Sequence, residues 1–163
     1  MNYMDITKAD VLNGIGFRAV LWCSGCSLNC YNCHNPETHN PQSGKKWTLD
    51  SEKELFDALD HDYILGITFS GGNPLEYYNI EQITNIAKKI KKLYTEKTQW
   101  LYTGYLWEQI KDLEIMKYID VVVDGPYIDE LKNITLKWRG SSNQRVIDVQ
   151  KSLKTGEVVL WCD

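Results

Sequence analysis

Three cysteines, Cys26, Cys30 and Cys33, stand in the spacing Cys-x-x-x-Cys-x-x-Cys directly after the apolar run Val20-Leu21-Trp22. That position puts them on a loop leaving a strand. Three thiolates do not complete the tetrahedral four-ligand shell of a structural zinc ion. They do suit three of the irons of a cubane [4Fe–4S] cluster, which is carried by cysteine thiolates. The fourth iron is then free to take a substrate, and an open position is what separates a catalytic metal site from a structural one.

Two further cysteines set alternatives beside this reading. Cys23 and Cys26 form a Cys-x-x-Cys pair, so four cysteines between 23 and 33 could be read as a zinc site. Zinc ribbons, however, separate their two knuckles by a long loop, and here only three residues part Cys26 from Cys30. A redox-active dithiol of Cys23 and Cys26 would open a helix, whereas Gly25 and Ser27-Leu28-Asn29 read as loop. Cys23 is therefore placed at the strand end as a small buried residue, and Cys162 is read as structural or incidental.

The elements that must position these residues alternate along the chain. Residues 18–22 read as a strand, entered through the turn Asn13-Gly14-Ile15-Gly16. Residues 34–47, with Pro36, Pro41 and Gly44, read as a loop. Ser51 and Glu54 give a capping-box pattern for a helix with Leu55, Phe56 and Leu59 on its apolar face. Residues 64–69 are a largely apolar second strand, expected to be buried on both sides. Ile80, Ile83, Ile86, Ala87, Ile90 and Leu93 recur at helical spacing. Residues 99–102 form a third strand, 107–116 a helix and 119–123 a fourth strand. Two final strands, 146–149 and 158–161, are joined through Lys154-Thr155-Gly156 as a hairpin.

Alternation of this kind implies parallel βαβ units. With 163 residues the chain is too short for a closed eight-fold barrel, which takes about 250. The expected fold is a single α/β domain, an incomplete β/α barrel open on one side. Cys26–Cys33, Gly71-Gly72, Thr103-Gly104 and Asp124-Gly125 all fall at C-terminal strand ends, the edge where α/β proteins place their sites. An open flank suits a macromolecular substrate.

Composition excludes several classes. The chain carries 43% hydrophobic and 25% charged residues with a net charge of −4, ordinary for a globular protein. Its lysines are dispersed and the cluster Lys88-Lys89 with Lys91-Lys92 lies within a helical pattern, which argues against direct nucleic-acid binding. Apolar runs are too short to span a membrane. Met1-Asn2-Tyr3-Met4-Asp5 lacks the pattern of a secretion signal, and five cysteines without such a signal point to the reducing cytoplasm.

The cysteine spacing, followed about forty residues later by Ser70-Gly71-Gly72-Asn73-Pro74, resembles the radical S-adenosylmethionine (SAM) enzymes. The resemblance implies that Cys26, Cys30 and Cys33 ligate the cluster, that its open iron chelates the amino and carboxylate groups of SAM, and that one electron then breaks the sulfonium bond. It further implies that the backbone at Asn32, Cys33 and His34 contacts the adenine. Gly71 and Gly72 would bring backbone acceptors near the methionyl ammonium, where a Cβ would obstruct. Asn73 stands where the family usually has an acid, so it adds no charge. Thr103 is placed toward the ribose hydroxyls. His34 is not a fourth iron ligand on this reading, since that would block SAM. Asp124 is similarly placed or caps the next turn.

Five more segments narrow the likeness: Asn13-Gly-Ile-Gly-Phe-Arg18, the cysteine loop with Asn35 and Thr38, Trp100-Leu-Tyr-Thr-Gly-Tyr105, Val123-Asp-Gly-Pro-Tyr127 and Trp138-Arg-Gly-Ser-Ser-Asn-Gln-Arg145. Together they are similar to the activating proteins of anaerobic (class III) ribonucleoside-triphosphate reductase. The last is a polar loop with no obvious packing role. What this implies is a 5′-deoxyadenosyl radical that makes a glycyl radical on the reductase, with an electron donor such as flavodoxin. Two other functions are weighed against it. Activators of other glycyl-radical enzymes, such as pyruvate formate-lyase, are usually longer. Ferredoxin-type carriers ligate every iron with cysteine, and here a fourth well-placed ligand is lacking.

Overall fold

The computed structural model describes residues 1–161, so Cys162 lies outside the described residues. Along the chain run β1 (Asn2–Asp10), β2 (Phe17–Cys23), β3 (Lys45–Lys46), α1 (Leu49–Leu59), β4 (Ile64–Gly71), α2 (Ile80–Leu93), β5 (Thr98–Tyr102), α3 (Trp107–Ile110), β6 (Val121–Asp124), β7 (Arg145–Asp148) and α4 (Val149–Thr155). The strands make one sheet in the order β3-β1-β2-β4-β5-β6-β7. The central four, β2, β4, β5 and β6, are parallel. β1, β3 and β7 are antiparallel to their neighbours. The architecture is mixed α/β, and the sheet is open, ending at β3 and β7.

Period-two alternation sorts the central strands into two faces. Ala19, Leu21 and Cys23 of β2, Ile67 and Phe69 of β4, Leu101 of β5, Val122 of β6 and Ile147 of β7 share one buried cluster. Leu55, Ala58 and Leu59 of α1, Ile83, Ile86, Ala87 and Ile90 of α2, and Trp107 and Ile110 of α3 belong to the same cluster, so the helices cover this face. The other face holds a smaller cluster of Trp100, Val121, Val123 and Val146, with Tyr102 and Trp138 against it. Truncating one of the fully buried α2 isoleucines would cost about 2–5 kcal/mol.

Arg18, also fully buried, lies on that second face and, among the described residues, pairs with no carboxylate. Its guanidinium donates to Thr68 Oγ1 (2.9 Å), Thr98 Oγ1 (2.9 Å), and the carbonyls of Ile15 (3.2 Å), Ile67 (2.6 Å) and Thr98 (2.7 Å). It also stands 5.4 Å from the Trp100 ring centroid. Burial lowers its pKa to about 10. One side chain thus ties the turn before β2 to β4 and β5.

Several expectations are corrected. β1 has no counterpart in the sequence reading: of its nine residues only Tyr3 and Ile6 are buried apolar ones, and its register is broken twice. α1 begins a turn early, because Thr48 and Ser51, not Ser51 and Glu54, form the capping box. The strand at 64–69 is not buried throughout, since Leu65 is exposed. The helix expected over 107–116 stops at Ile110 and resumes as a 3-10 turn at Glu114–Lys117, held by i→i−3 bonds from Met116 N–H to the Leu113 carbonyl (3.1 Å) and Tyr118 N–H to the Ile115 carbonyl (2.9 Å). The expected final hairpin is β7 followed by α4. Asp148 caps α4 by accepting Lys151 N–H (3.0 Å), and Gly156 ends it at φ 78°. Residues beyond it return beside β7 through Asp148 N–H to Val159 O and Trp161 N–H to Val146 O (both 2.8 Å), with only an isolated bridge between Ile147 and Leu160. Among the described residues, no helix is long and apolar enough to cross a membrane.

Candidate functional site

β2 delivers the cysteine loop to the C-terminal edge of the parallel strands. Cys23, its last residue, is fully buried, and burial pushes its thiol up to about 12. Such a thiol is inert at neutral pH. Cys26, Cys30 and Cys33 are half-buried free thiols on the loop beyond it. Backbone bonds shape that loop: Gly25 N–H to Thr38 O (2.6 Å), Cys26 N–H to His39 O (3.1 Å) and Cys33 N–H to Cys30 O (3.2 Å). Asn29 and Asn32 take left-handed backbone at φ 47° and 52°, a conformation asparagine tolerates better than most residues. Burial raises the Cys26 thiol above its ordinary value, opposed by the neighbouring backbone amides of Leu28 and Asn29. Half-exposed thiols on one irregular loop, with backbone amides near Cys26, are a donor set that fits an iron–sulfur cluster. Among the described residues, no three His, Cys, Asp or Glu side chains gather for a single metal ion; a cubane instead takes one ligand at each corner.

β4 brings Gly71 and Gly72 against this loop. A Cβ at Gly71, whose φ is 100°, would lie 2.5 Å from the Cys23 carbonyl, and one at Gly72 would lie 2.4 Å from the Gly25 carbonyl. Both glycines are therefore required by the chain's own close approach. The two loops are stitched by Gly72 N–H to Cys23 O and Asn73 N–H to Gly25 O, each 2.8 Å. Asn73 is buried, and its Oδ1 accepts from Thr103 Oγ1 (2.9 Å) and Leu75 N–H (3.2 Å). Its Nδ2 is buried without a partner among the described residues. The amide thus uses its oxygen within the chain and presents a free donor at this position.

Not every expected residue points into one site. The Asn32 side chain donates to Asp129 Oδ2 (3.0 Å), whose other oxygen accepts from the Tyr127 hydroxyl (2.7 Å). His34 is exposed. Thr103 is committed to Asn73 and to accepting Tyr105 N–H (3.2 Å). Asp124 is fully buried; its Oδ2 accepts Trp107 N–H (2.7 Å) and its Oδ1 the Nε of Arg145 (3.0 Å). Arg145 also pairs with Glu108 (3.0 Å).

The polar segment 138–145 does pack, contrary to its sequence reading. Trp138 meets Trp100 edge-on with centroids 5.2 Å apart. Ser141 is buried, and Gln144 Oε1 accepts the N–H groups of Gly140 (2.9 Å) and Ser141 (3.1 Å).

Residues that sequence reasoning missed surround Cys26. Glu76, only 4% exposed, accepts Ser27 N–H (2.9 Å) and the Ser27 hydroxyl (2.7 Å) on one oxygen. The Tyr105 hydroxyl stands beside both. Tyr78, whose ring would be struck by a Cβ at Gly25, has its phenol pushed up to about 12 by burial and then by Glu76. Leu28 lies against Gly104. The one available signal was an acid in the turn after Gly71-Gly72.

Known proteins resemble this chain over most of its length. Residues 12–147 match the family described as 4Fe-4S single cluster domain. A relative from Enterobacteria phage T4, named anaerobic ribonucleoside-triphosphate reductase-activating protein, is 44% identical over 146 residues, covering 90% of this chain and 93% of its own length. Proteins of the same name from Vibrio cholerae and Escherichia coli K12 are 36% and 35% identical over 148 and 150 residues, covering 88% and 90% of this chain and 96% and 97% of their own.

Proposed function

This chain belongs to the family of anaerobic ribonucleoside-triphosphate reductase-activating proteins, and from that premise we propose that it is a radical SAM enzyme that makes the glycyl radical of such a reductase. In this reading its single domain is an incomplete β/α barrel, and Cys26, Cys30 and Cys33 ligate a [4Fe–4S] cluster. The observation that carries the proposal is the stitching of the three-cysteine loop to the Gly71-Gly72 loop, at the C-terminal edge of four parallel strands.

When held by Cys26, Cys30 and Cys33, the cluster would supply the one-electron reductive cleavage of SAM that provides a radical able to take a hydrogen atom from a backbone glycine of the reductase. The chain's own residues position and shield. Gly71 and Gly72 let the two loops meet, so the methionyl end of SAM lies where backbone from both is within reach. Asn73 Nδ2 offers its unpartnered donor to a carboxylate or hydroxyl of SAM and leaves the ammonium to backbone carbonyls. Asn32, Cys33 and His34 present backbone to the adenine, and Thr103 fixes Asn73 and lies toward the ribose. An electron donor of the flavodoxin type supplies the cluster, and the cytoplasm is the expected compartment.

Anaerobic mixing of the reconstituted protein with the reductase, SAM and a strong reductant tests this. A glycyl-radical EPR doublet on the reductase, with 5′-deoxyadenosine released, is expected. Intact SAM would reduce the protein to an electron carrier. A radical on pyruvate formate-lyase but none on the reductase would sink the partner assignment.

A further inference from the structure

Among the described residues, Glu76 is the one buried acid next to the cysteine loop that the proposed chemistry does not use. Its carboxylate is 4% exposed, and among the described residues no lysine or arginine forms an ion pair with it. Leaving a charge buried and unpaired is costly unless hydrogen bonds hold it. Two such bonds come from Ser27, through its N–H at 2.9 Å and its hydroxyl at 2.7 Å, and Ser27 directly follows Cys26. Glu76 also starts the turn into α2, its carbonyl accepting Asn79 N–H (2.8 Å) and Ile80 N–H (2.9 Å). Its charge is thus fixed against the Cys26 corner by a rigid element.

We propose that Glu76 is a positioning residue whose uncompensated negative charge, anchored on Ser27, lowers the reduction potential of the cluster held by Cys26, Cys30 and Cys33. The inference rests on the cluster assignment made above. The potential of an iron–sulfur cluster is set by net charge, hydrogen bonds to its sulfurs and solvent exposure. A nearby anion favours the oxidised cluster over the reduced one, which carries one more electron, and the effect is strong where protein has replaced water. The N–H groups of Leu28 and Asn29 at Cys26 act in the opposite sense. A cluster poised low is a stronger reductant, which a difficult one-electron cleavage needs.

The test is redox potentiometry, followed by EPR, on the reconstituted wild type and the variants Glu76→Gln and Glu76→Asp, with iron and sulfide counted in each. Glu76→Gln keeps the shape and the acceptor for Ser27 but removes the charge. It should hold the wild-type iron content and favour the reduced cluster about tenfold at a fixed potential, about 59 mV upward for a one-electron couple. Glu76→Asp, which keeps the charge, should stay near the wild type. An unchanged potential in Glu76→Gln overturns the proposal, as does its failure to hold a cluster, since Glu76 would then be an anchor alone. If the wild type itself took up no cluster, the functional reading would fail instead, and the two failures are distinguishable.

Discussion

Thr103 donates its hydroxyl to Asn73 Oδ1 at 2.9 Å, joining the end of β5 to the loop after β4 inside the candidate site. Both side chains are buried, so the bond is isolated from water. Thr103→Val should cost about 1 kcal/mol and free the Asn73 amide to rotate. SAM affinity, followed by equilibrium binding on the reconstituted protein, should weaken while iron content stays constant. Unchanged affinity would remove the pair from the site.

Iron content separates the cysteines. Cys26→Ala, Cys30→Ala and Cys33→Ala should each abolish the cluster of about four irons and four sulfides per chain. Cys23→Ala should retain it, since that thiol is fully buried at a strand end, and should show only a modest loss of stability. Loss of iron in Cys23→Ala would mean four cysteine ligands and no open iron.

Gly72→Ala should displace the cysteine loop, because the added Cβ would lie 2.4 Å from the Gly25 carbonyl. Iron uptake and SAM binding should therefore fall together. Retention of a full cluster with only SAM affinity lost would show that Gly72 faces the cofactor and not the loop.

The Asp124–Arg145 pair should be a stability determinant for the segment 138–145. Asp124→Ala would leave Arg145 with Glu108 alone and Trp107 N–H without its acceptor, and cost about 3 kcal/mol, the lower end for a broken buried pair because Arg145 is partly exposed. Glu108→Gln at the exposed end should cost under about 1 kcal/mol. Urea titrations measure both. Arg145 holds the Glu108 carboxyl below its ordinary value. Its small contribution is therefore present above the unfolded glutamate pKa of about 4.3 and lost as the pH falls through the lower folded value. The wild type should lose more stability on that descent than Glu108→Gln.

Arg18→Met should be severely destabilising. It would leave the carbonyls of Ile15, Ile67 and Thr98 without the guanidinium that serves them, at about 1–3 kcal/mol for each buried group left unpaired. A lowered urea midpoint with unchanged m-value is the expected result.

The parallel centre of the sheet was legible because β2, β4, β5 and β6 are apolar runs and α2 repeats isoleucine at helical spacing. β1 was not, since Asp5, Thr7 and Lys8 interrupt its alternation. α4 was mistaken for a turn because Val149 continues the apolar run of β7, while the capping role of Asp148 depends on backbone geometry. At the site, the cysteines and Gly71-Gly72 announced themselves by type and spacing. Glu76 did not: its significance comes from reaching Ser27, 49 residues away in sequence, a contact set by packing. The same reason hid Asp129, which meets Asn32 across 97 residues.

The two margins of the open sheet bear on how this protein can associate. At one margin β3 is only two residues long, both exposed lysines; at the other, β7 is covered by the returning segment through Val159 and Trp161. β3 covers only Asn2 and Tyr3 of β1, and the rest of that margin carries Asp5, Lys8 and Asp10 and two register breaks; charge, bulges and covering each discourage another strand from extending a sheet edge. Intermolecular β-augmentation, whether productive or as the seed of aggregates, is thereby discouraged, and a protein partner is directed to the loops at the strand tips.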